Sequence, residues 1–343
     1  MMTLQQLSAL NRSLHRQQVL SVYIDGSASE FSILHRWRTQ LDNELTGLRA
    51  WLARSRHTER EDFETCARHL DETLAQFKRG LGAPGFVSFI TRDGVIDSHT
   101  LPIPVPTLAV WSPGPAIAPY MRAMKETHPI TVILADSSKA ELFQYRAGKV
   151  ESIGTTRKDT AHLSLSEGRD QMIDEVVSRA LAIMDADEFV MVGGISGLAR
   201  RIVARLDASV GDRAIELIGL DIHASHARIR DAVKAAASKL RAAFDCQRIA
   251  EITDDAAAGG LGALGPEETR LALEQSSVLD LYLTHKYLED HAAEAEDAVR
   301  AALDQHASVE EVSHEAAEDL QQFGGLAAGL RFRPATLENW GAI

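Results

Sequence analysis

Apolar positions along this chain alternate between two periods. Val19 to Ile24 (VLSVYI) is short, β-branched and closed by Asp25-Gly26, the pattern of a buried strand. From Phe31 to Arg54 the apolar residues Leu34, Trp37, Leu41, Leu45, Leu48 and Leu52 fall three and four apart, which predicts a helix with one buried face. Trp37 and Trp51 stand about four helical turns apart, so both are expected in the core beside the leucines. Thr58 followed by Glu61 has the spacing of a capping box and opens a second helix running to about Arg79. Phe86–Ile90, Val95–Ser98 and Leu108–Trp111 read as strands. Pro102, Pro104 and Pro106 keep the connection before the last of them extended. A helix over Ala116–Lys125 completes this part.

The pattern restarts after His128-Pro129, where the proline disfavours helix in the residue before it. Ile130–Ala135 and Glu141–Arg146 read as a strand pair turned at Asp136-Ser137-Ser138, with a third strand over Lys149–Thr155. A polar loop, Arg157–Gly168, leads to a helix over Arg169–Met184. Phe189–Val192 then reads as a buried strand, Leu198–Leu206 as a helix, Ala214–Leu220 as a strand and Ile229–Phe244 as a helix. Asp254–Gly260 is expected to be a linker. Beyond it a glycine-rich turn opens an amphipathic helix that feeds the apolar run Val278–Leu283. Near the end the pair Gly324-Gly325 precedes a last apolar segment reaching Phe332. Strands alternating with helices predict α/β layers. The breaks place three domains at 1–126, 127–256 and 257–343.

Charge divides the same three parts. The chain of 343 residues carries a net −13. Residues 1–125 hold +2, residues 126–258 hold −4, and residues 259–343 hold −11, with 5 basic side chains against 16 acidic. So acidic a C-terminal third will not bind phosphate backbones by bulk electrostatics; it suits a protein partner or solubility. Cys66 and Cys246 lie far apart and predict neither a disulfide framework nor a cysteine zinc site, in keeping with a cytoplasmic location. The first residues lack the apolar core of a signal peptide. No apolar run approaches the roughly 20 residues a membrane helix needs.

The segments, taken in order, resemble a known family. The run Gly259–Phe332, with GGLGALGPEETRLALEQSSVLDLYL and LQQFGGLAAGLRF at its two ends, resembles the C-terminal domain of the archaeal and eukaryotic class-1 peptide release factors and their ribosome-rescue relative Pelota. VLSVYI resembles the first strand of the family's N-terminal domain. ITVILADSSKAELFQYRAGKV, FVMVGGISGLARRIVARL and IGLDIHASHARIRDAV resemble successive parts of its middle domain. The resemblance implies a ribonuclease-H-like middle domain and a ribosomal-protein-like C-terminal α/β domain of the kink-turn-binder type. It implies work on the ribosome, with rRNA as the contact surface and a translational GTPase such as elongation factor Tu as partner. DNA and membranes have no place in it.

Two departures bear on activity. The family's Gly-Gly-Gln loop should lie in Arg157–Val176, which reads RKDTAHLSLSEGRDQMIDEV and contains no Gly-Gly-Gln. Gln171 is present without its glycines, inside a predicted helix. The Asn-Ile-Lys-Ser pattern that reads stop codons is replaced by Arg54-Ser55-Arg56-His57. Both losses point to the bacterial, Balon-like branch, whose members include a hibernation factor that occupies the decoding site without releasing peptide. On this reading the chain has no catalytic residue, metal or cofactor. Two rival readings stay open: a peptidyl-tRNA hydrolase working through Gln171, and a protein-interaction module that never meets a ribosome.

Candidate RNA contacts follow from the same positions. Arg36, Arg38, Arg49, Arg54, Arg56 and Arg60 surround the first helical pair, and those at the inter-helix turn, Arg54, Arg56 and Arg60, are best placed for rRNA. Arg157, Lys158, His162 and Arg169 lie in or beside the loop that replaces the catalytic one. Gly193-Gly194-x-x-Gly197 follows a strand and opens a helix, as phosphate-binding turns do, but matches neither nucleotide fingerprint and is expected to be a tight turn. Ser196 completes no nucleophile elbow. His223 and His226 near Asp221 lack further clustered ligands for a metal.

Overall fold

Thr3 starts the first helix, α1 (Leu4–Leu14): its hydroxyl accepts from the Gln6 N–H, while the Gln6 side chain accepts from the Thr3 N–H. The computed structural model describes residues 2–27, 36–77, 80–157, 166–185 and 188–334. These fold as two compact units, one formed by Met1–Glu126 with Ala242–Ile343, the other by Thr127–Arg241.

In the first unit β1 (Gln18–Asp25) is buried at all six inner positions, as its unbroken apolar run requires of a central strand. Two helices follow, α2 (Arg36–Ser55) and α3 (Arg60–Leu74), then β2 (Gly85–Thr91), β3 (Gly94–Leu101), β4 (Leu108–Pro113) and α4 (Ala118–Glu126). The four strands make an antiparallel sheet in the order β3-β2-β1-β4. Leu41, Leu45, Leu52, Phe63 and Leu70 of α2 and α3 cover one face, against Leu20, Val22, Ile24, Phe86 and Ile90. At about 1.5–3 kcal/mol for each large apolar side chain removed from water, that face is the main reason this helical pair docks.

The second unit holds β5 (Ile130–Ala135), β6 (Lys139–Arg146), β7 (Lys149–Arg157), α5 (Glu167–Ile183), β8 (Phe189–Gly194), α6 (Ser196–Val210), β9 (Ala214–Leu217) and the first half of α7 (His226–Ala257). Its sheet runs β7-β6-β5-β8-β9: an antiparallel meander followed by two parallel strands, each entered through a helix. This is the ribonuclease-H-like arrangement. Helices α5 and α6 pack on one face over Ile133, Leu142 and Val192, and α7 packs on the other over Val132, Phe143 and Met191.

The rest of the first unit is β10 (Gly262–Leu264), α8 (Gly265–Glu274), β11 (Val278–Thr284), α9 (His285–Asp290), α10 (Ala292–Asp304), β12 (Ser308–Val312), α11 (His314–Gln321) and β13 (Leu326–Leu330). Its mixed sheet runs β10-β13-β11-β12, with β11 and β12 parallel. Gly324 (φ 90°) and Gly325 (φ 83°) close α11 and turn the chain into β13. Their N–H groups bond the Gln321 and Leu320 carbonyls. One apolar core runs from Leu7, Tyr23, Phe89 and Met121 to Leu281, Val299 and Leu326, so the first and last thirds of the chain share an interior.

Four sequence expectations need correction. Trp51 is 37 % exposed, whereas Trp37 is buried at 3 %. Fourteen residues at about 100° each fall about 40° short of four turns, enough to carry Trp51 off the apolar stripe. Thr58 caps nothing: it lies in a 3-10 turn over His57–Glu59, and α3 starts at Arg60 without a side-chain cap. The expected linker is largely helical, because α7 continues to Ala257 and stops only before Gly259-Gly260. The strand expected to reach Leu220 also ends early, at Leu217.

Beside β3, His99 Nδ1 donates to Asp97 (2.6 Å), Tyr120 donates to His99 Nε2 (2.9 Å), and the Met2 N–H donates to the Tyr120 hydroxyl (2.9 Å). The chain of donors closes only around a neutral imidazole. Burial pushes the His99 pKa down, and the neighbouring Asp97 only partly opposes it. The unfolded chain therefore binds this proton more readily, and wild-type stability falls as pH drops from about 6.5 through the lower folded value. Thermal melts of wild type and His99→Asn should show the gap between them narrowing over that window. A gap that widens toward acid would contradict the neutral assignment.

Candidate RNA-contact surfaces

The turn between α2 and α3 is held from below. Glu59 accepts from the buried Trp111 Nε1 (2.8 Å) with one oxygen and from Arg56 Nη1 (2.9 Å) with the other. That leaves the guanidinium of Arg56 over the Trp51 ring, 5.6 Å from its centroid. Arg54 is exposed and donates from Nε to the Ala50 carbonyl (3.1 Å), which fixes its stem and leaves its terminal nitrogens outward. Arg60 is exposed in the first turn of α3. The arrangement is a cationic turn with an indole face beside it, suited to phosphate contact and base stacking.

Arg38 and Arg49 of α2 are committed elsewhere. Arg49 binds Glu64 with two nitrogens (3.0 and 3.1 Å), and Arg38 lies over the Trp37 ring (4.8 Å) and reaches the Leu74 carbonyl. Arg54, Arg56 and Arg60, expected at this turn, are all exposed, as are Arg36 and Arg68; the sequence did not point to an exposed Trp51 or to the tether through Glu59. The 40° drift was calculable; the tether was not.

In the second unit Arg157 ends β7, exposed, with Lys139 as its cross-strand partner. Arg169 sits in the first turn of α5, partly buried, and its Nε has no hydrogen-bond partner among the described residues. Lys158 and His162 lie outside the described residues. Gln171 is exposed on α5.

The Gly193-Gly194 turn has little left to offer a phosphate. The Gly194 N–H donates to the Leu220 carbonyl (2.7 Å) and the Ile195 N–H to the Ala135 carbonyl (3.2 Å), so both are spent inside the fold. At the entry to α7, Asp221 accepts the His223 N–H (2.8 Å), and the His226 ring meets Phe143 edge-on at 5.8 Å. Among the described residues no group of His, Cys, Asp or Glu could hold a metal ion, and no helix is long and apolar enough to cross a membrane.

No family model and no curated protein sequence matches the chain significantly. Among solved structures it is similar to Pelota of Archaeoglobus fulgidus, at 18% identity over 96% of this chain and 93% of that one, with a TM-score of 0.37. It is also similar to S. cerevisiae Dom34, described as a translation termination-like factor interacting with Hbs1, at 12% identity over 74% and 83% with a TM-score of 0.48. An archaeal translation termination factor, aRF1, aligns at 17% identity over 96% and 99% with a TM-score of 0.27. At these identities and TM-scores the likeness assigns neither a family nor an activity to this chain.

Proposed function

We propose that this protein occupies the ribosomal A site without releasing peptide, in hibernation or rescue of ribosomes. The observation that carries the reading is the inter-helix turn, where Arg54, Arg56 and Arg60 project beside an indole that the fold leaves exposed. An exposed tryptophan under a guanidinium gains nothing for the core, and base stacking or phosphate contact would give it a use. The order of the segments that resemble release factors supports a decoding-centre role for such a turn, and the absence of Gly-Gly-Gln anywhere in the chain argues against peptide release. In this picture residues 1–126, 127–256 and 257–343 act as three domains, with the middle one, through Arg157, Lys158, His162 and Arg169, reaching toward the peptidyl-transferase centre. The acidic C-terminal part meets a protein, and a translational GTPase such as elongation factor Tu fits that role in a cytoplasmic factor.

The test is sedimentation of the tagged protein through sucrose gradients, from growing and from starved cells. Co-migration with 70S particles that weakens with salt is the expected result; absence from every ribosomal fraction in both states would end the proposal. The triple variant Arg54→Ala/Arg56→Ala/Arg60→Ala should melt within about 0.5 kcal/mol of wild type, since exposed pairs contribute little. It should bind ribosomes roughly tenfold or more weakly, with a shallower salt dependence. Trp51→Ala should weaken binding by about 1–3 kcal/mol without changing that salt slope.

A further inference from the structure

Helix α7 changes sign along its length. Residues 226–241, in the second unit, carry Arg228, Arg230, Lys234, Lys239 and Arg241 against Asp231 alone, a local net of +4 in a chain of net −13. Residues 242–257, in the first unit, carry Arg248 against Asp245, Glu251, Asp254 and Asp255. No requirement of helix formation demands this reversal, since every position in both halves is helical.

The basic half has a definite cross-section. Ile229, Val233 and Ala237 are buried and hold it against the sheet. At about 100° per residue, Arg230 and Lys234 fall on one flank of that buried stripe, and Arg228 and Lys239 on the other. The outermost ridge between the flanks is Ala227, Asp231, Ala235 and Ser238, all exposed. Cations therefore border both sides of a ridge of short side chains. Arg228 donates to the Gly219 carbonyl (2.8 Å) and Arg230 pairs with Asp231 (2.9 Å), an exposed pair that is easily exchanged for another anion.

We infer that the basic half of α7 is a second RNA-contact surface, one that grips the sugar–phosphate backbone. It rests on the ribosomal reading for its physiological partner, but on its own geometry for its chemistry. A protein interface would want a large apolar anchor at its centre, and no apolar side chain larger than alanine is exposed over residues 226–241, Leu240 being half-buried against the core of the sheet. Backbone recognition wants the opposite: Arg and Lys at the edges, and small side chains between them so that the helix can approach. The surface is separate from Arg169 at the start of α5, because α5 and α7 cover opposite faces of the same sheet. The second unit thus presents cations on both sides.

The test uses the full chain with Arg230→Glu/Lys234→Glu/Lys239→Glu, and the milder pair Lys234→Gln/Lys239→Gln in case the triple variant fails to fold, with circular dichroism melts to score folding. The probes are a short labelled RNA duplex, titrated at several salt concentrations, and purified 70S ribosomes. The triple variant should bind the duplex at least about tenfold more weakly, with a log–log salt slope shallower by about 2–3; the neutral pair should lower that slope by about 1–2. Unchanged affinity and slope in a folded variant overturn the inference, and leave the A-site proposal standing if wild type still sediments with ribosomes. Duplex binding through α7 by a protein that never enters ribosomal fractions has the opposite meaning: the RNA surface is real and the A-site proposal falls. Salt-dependent binding of polyglutamate with no RNA binding would also overturn it, in favour of an acidic protein partner.

Discussion

Gly194→Ala is expected to unfold much of the second unit. Gly194 sits at φ 119°, outside the range an L side chain adopts comfortably, and its missing Cβ is where the Ala135 backbone passes. A methyl group there would fall on the Ala135 carbonyl oxygen and within 2.9 Å of that residue's carbonyl carbon and nitrogen. Backbone atoms cannot rotate aside as a side chain does. Relief would require separating β5 from β8, the parallel pair at the centre of the sheet. Strain and clash together should cost about 3–5 kcal/mol, a large part of the roughly 5–15 kcal/mol that a domain commands. The control is Gly197→Ala three residues on, where an added Cβ meets nothing within 4 Å and the residue is already helical. That change should stabilise by about 0.5–1 kcal/mol. Urea melts, with hydrogen exchange on the β5 and β8 amides, would show it; equal stability of the two variants would refute the close-approach account.

Arg300→Ala should cost about 3–5 kcal/mol in the first unit. Arg300 and Glu296 stand one turn apart on α10, their side chains 19% and 12% exposed. The guanidinium gathers the carbonyls of Pro113 (2.7 Å), Gly114 (3.2 Å) and Pro115 (2.8 Å), with Glu296 at 3.0 Å. Glu296 in turn accepts the N–H groups of Ile117 (2.8 Å) and Ala118 (2.9 Å), and so caps the start of α4. Removing the arginine leaves a buried carboxylate and three carbonyls without their donor. Arg300→Lys should recover little, because an ammonium cannot span these acceptors in one plane. Burial already raises the Glu296 pKa, against the opposing pull of Arg300 and the two N–H groups. A folded value above the unfolded one means that stability from this group is lost as pH rises through the window between them. Without Arg300 that window widens upward, so the deficit of Arg300→Ala should shrink toward pH 4–5 as Glu296 takes up its proton. The double variant Glu296→Ala/Arg300→Ala should be less damaged than the two single changes added together. Strict additivity would show that the two side chains act independently.

Both sites show how far local reasoning reaches. The strand at Val19–Ile24, the helix over Leu41–Leu52 and the alternation of strands and helices after His128 were legible, because period and turn residues act over a few neighbours. The exposed arginines at the α2–α3 turn were legible for the same reason, since a polar run between two apolar stripes has nowhere to go but outward. Gly194 announced a tight turn but not the backbone it makes room for, that of Ala135, a strand away. Glu296 and Arg300 have the spacing of any charged pair on a helix face, and nothing local marks their targets, which lie some 180 residues earlier in the chain.

The sequence by itself determined most of the helices and strands, the α/β class, and where charge concentrates, since each depends on residues a few positions apart. Only the tertiary structure decided that the first and last thirds share one core, that Glu59 joins Trp111 to Arg56 beneath the α2–α3 turn, and that α7 carries its basic half in one unit and its acidic half in the other. Those outcomes depend on pairings between residues distant in sequence, where each surface selects its partner by shape and burial, and neither period nor composition encodes that choice.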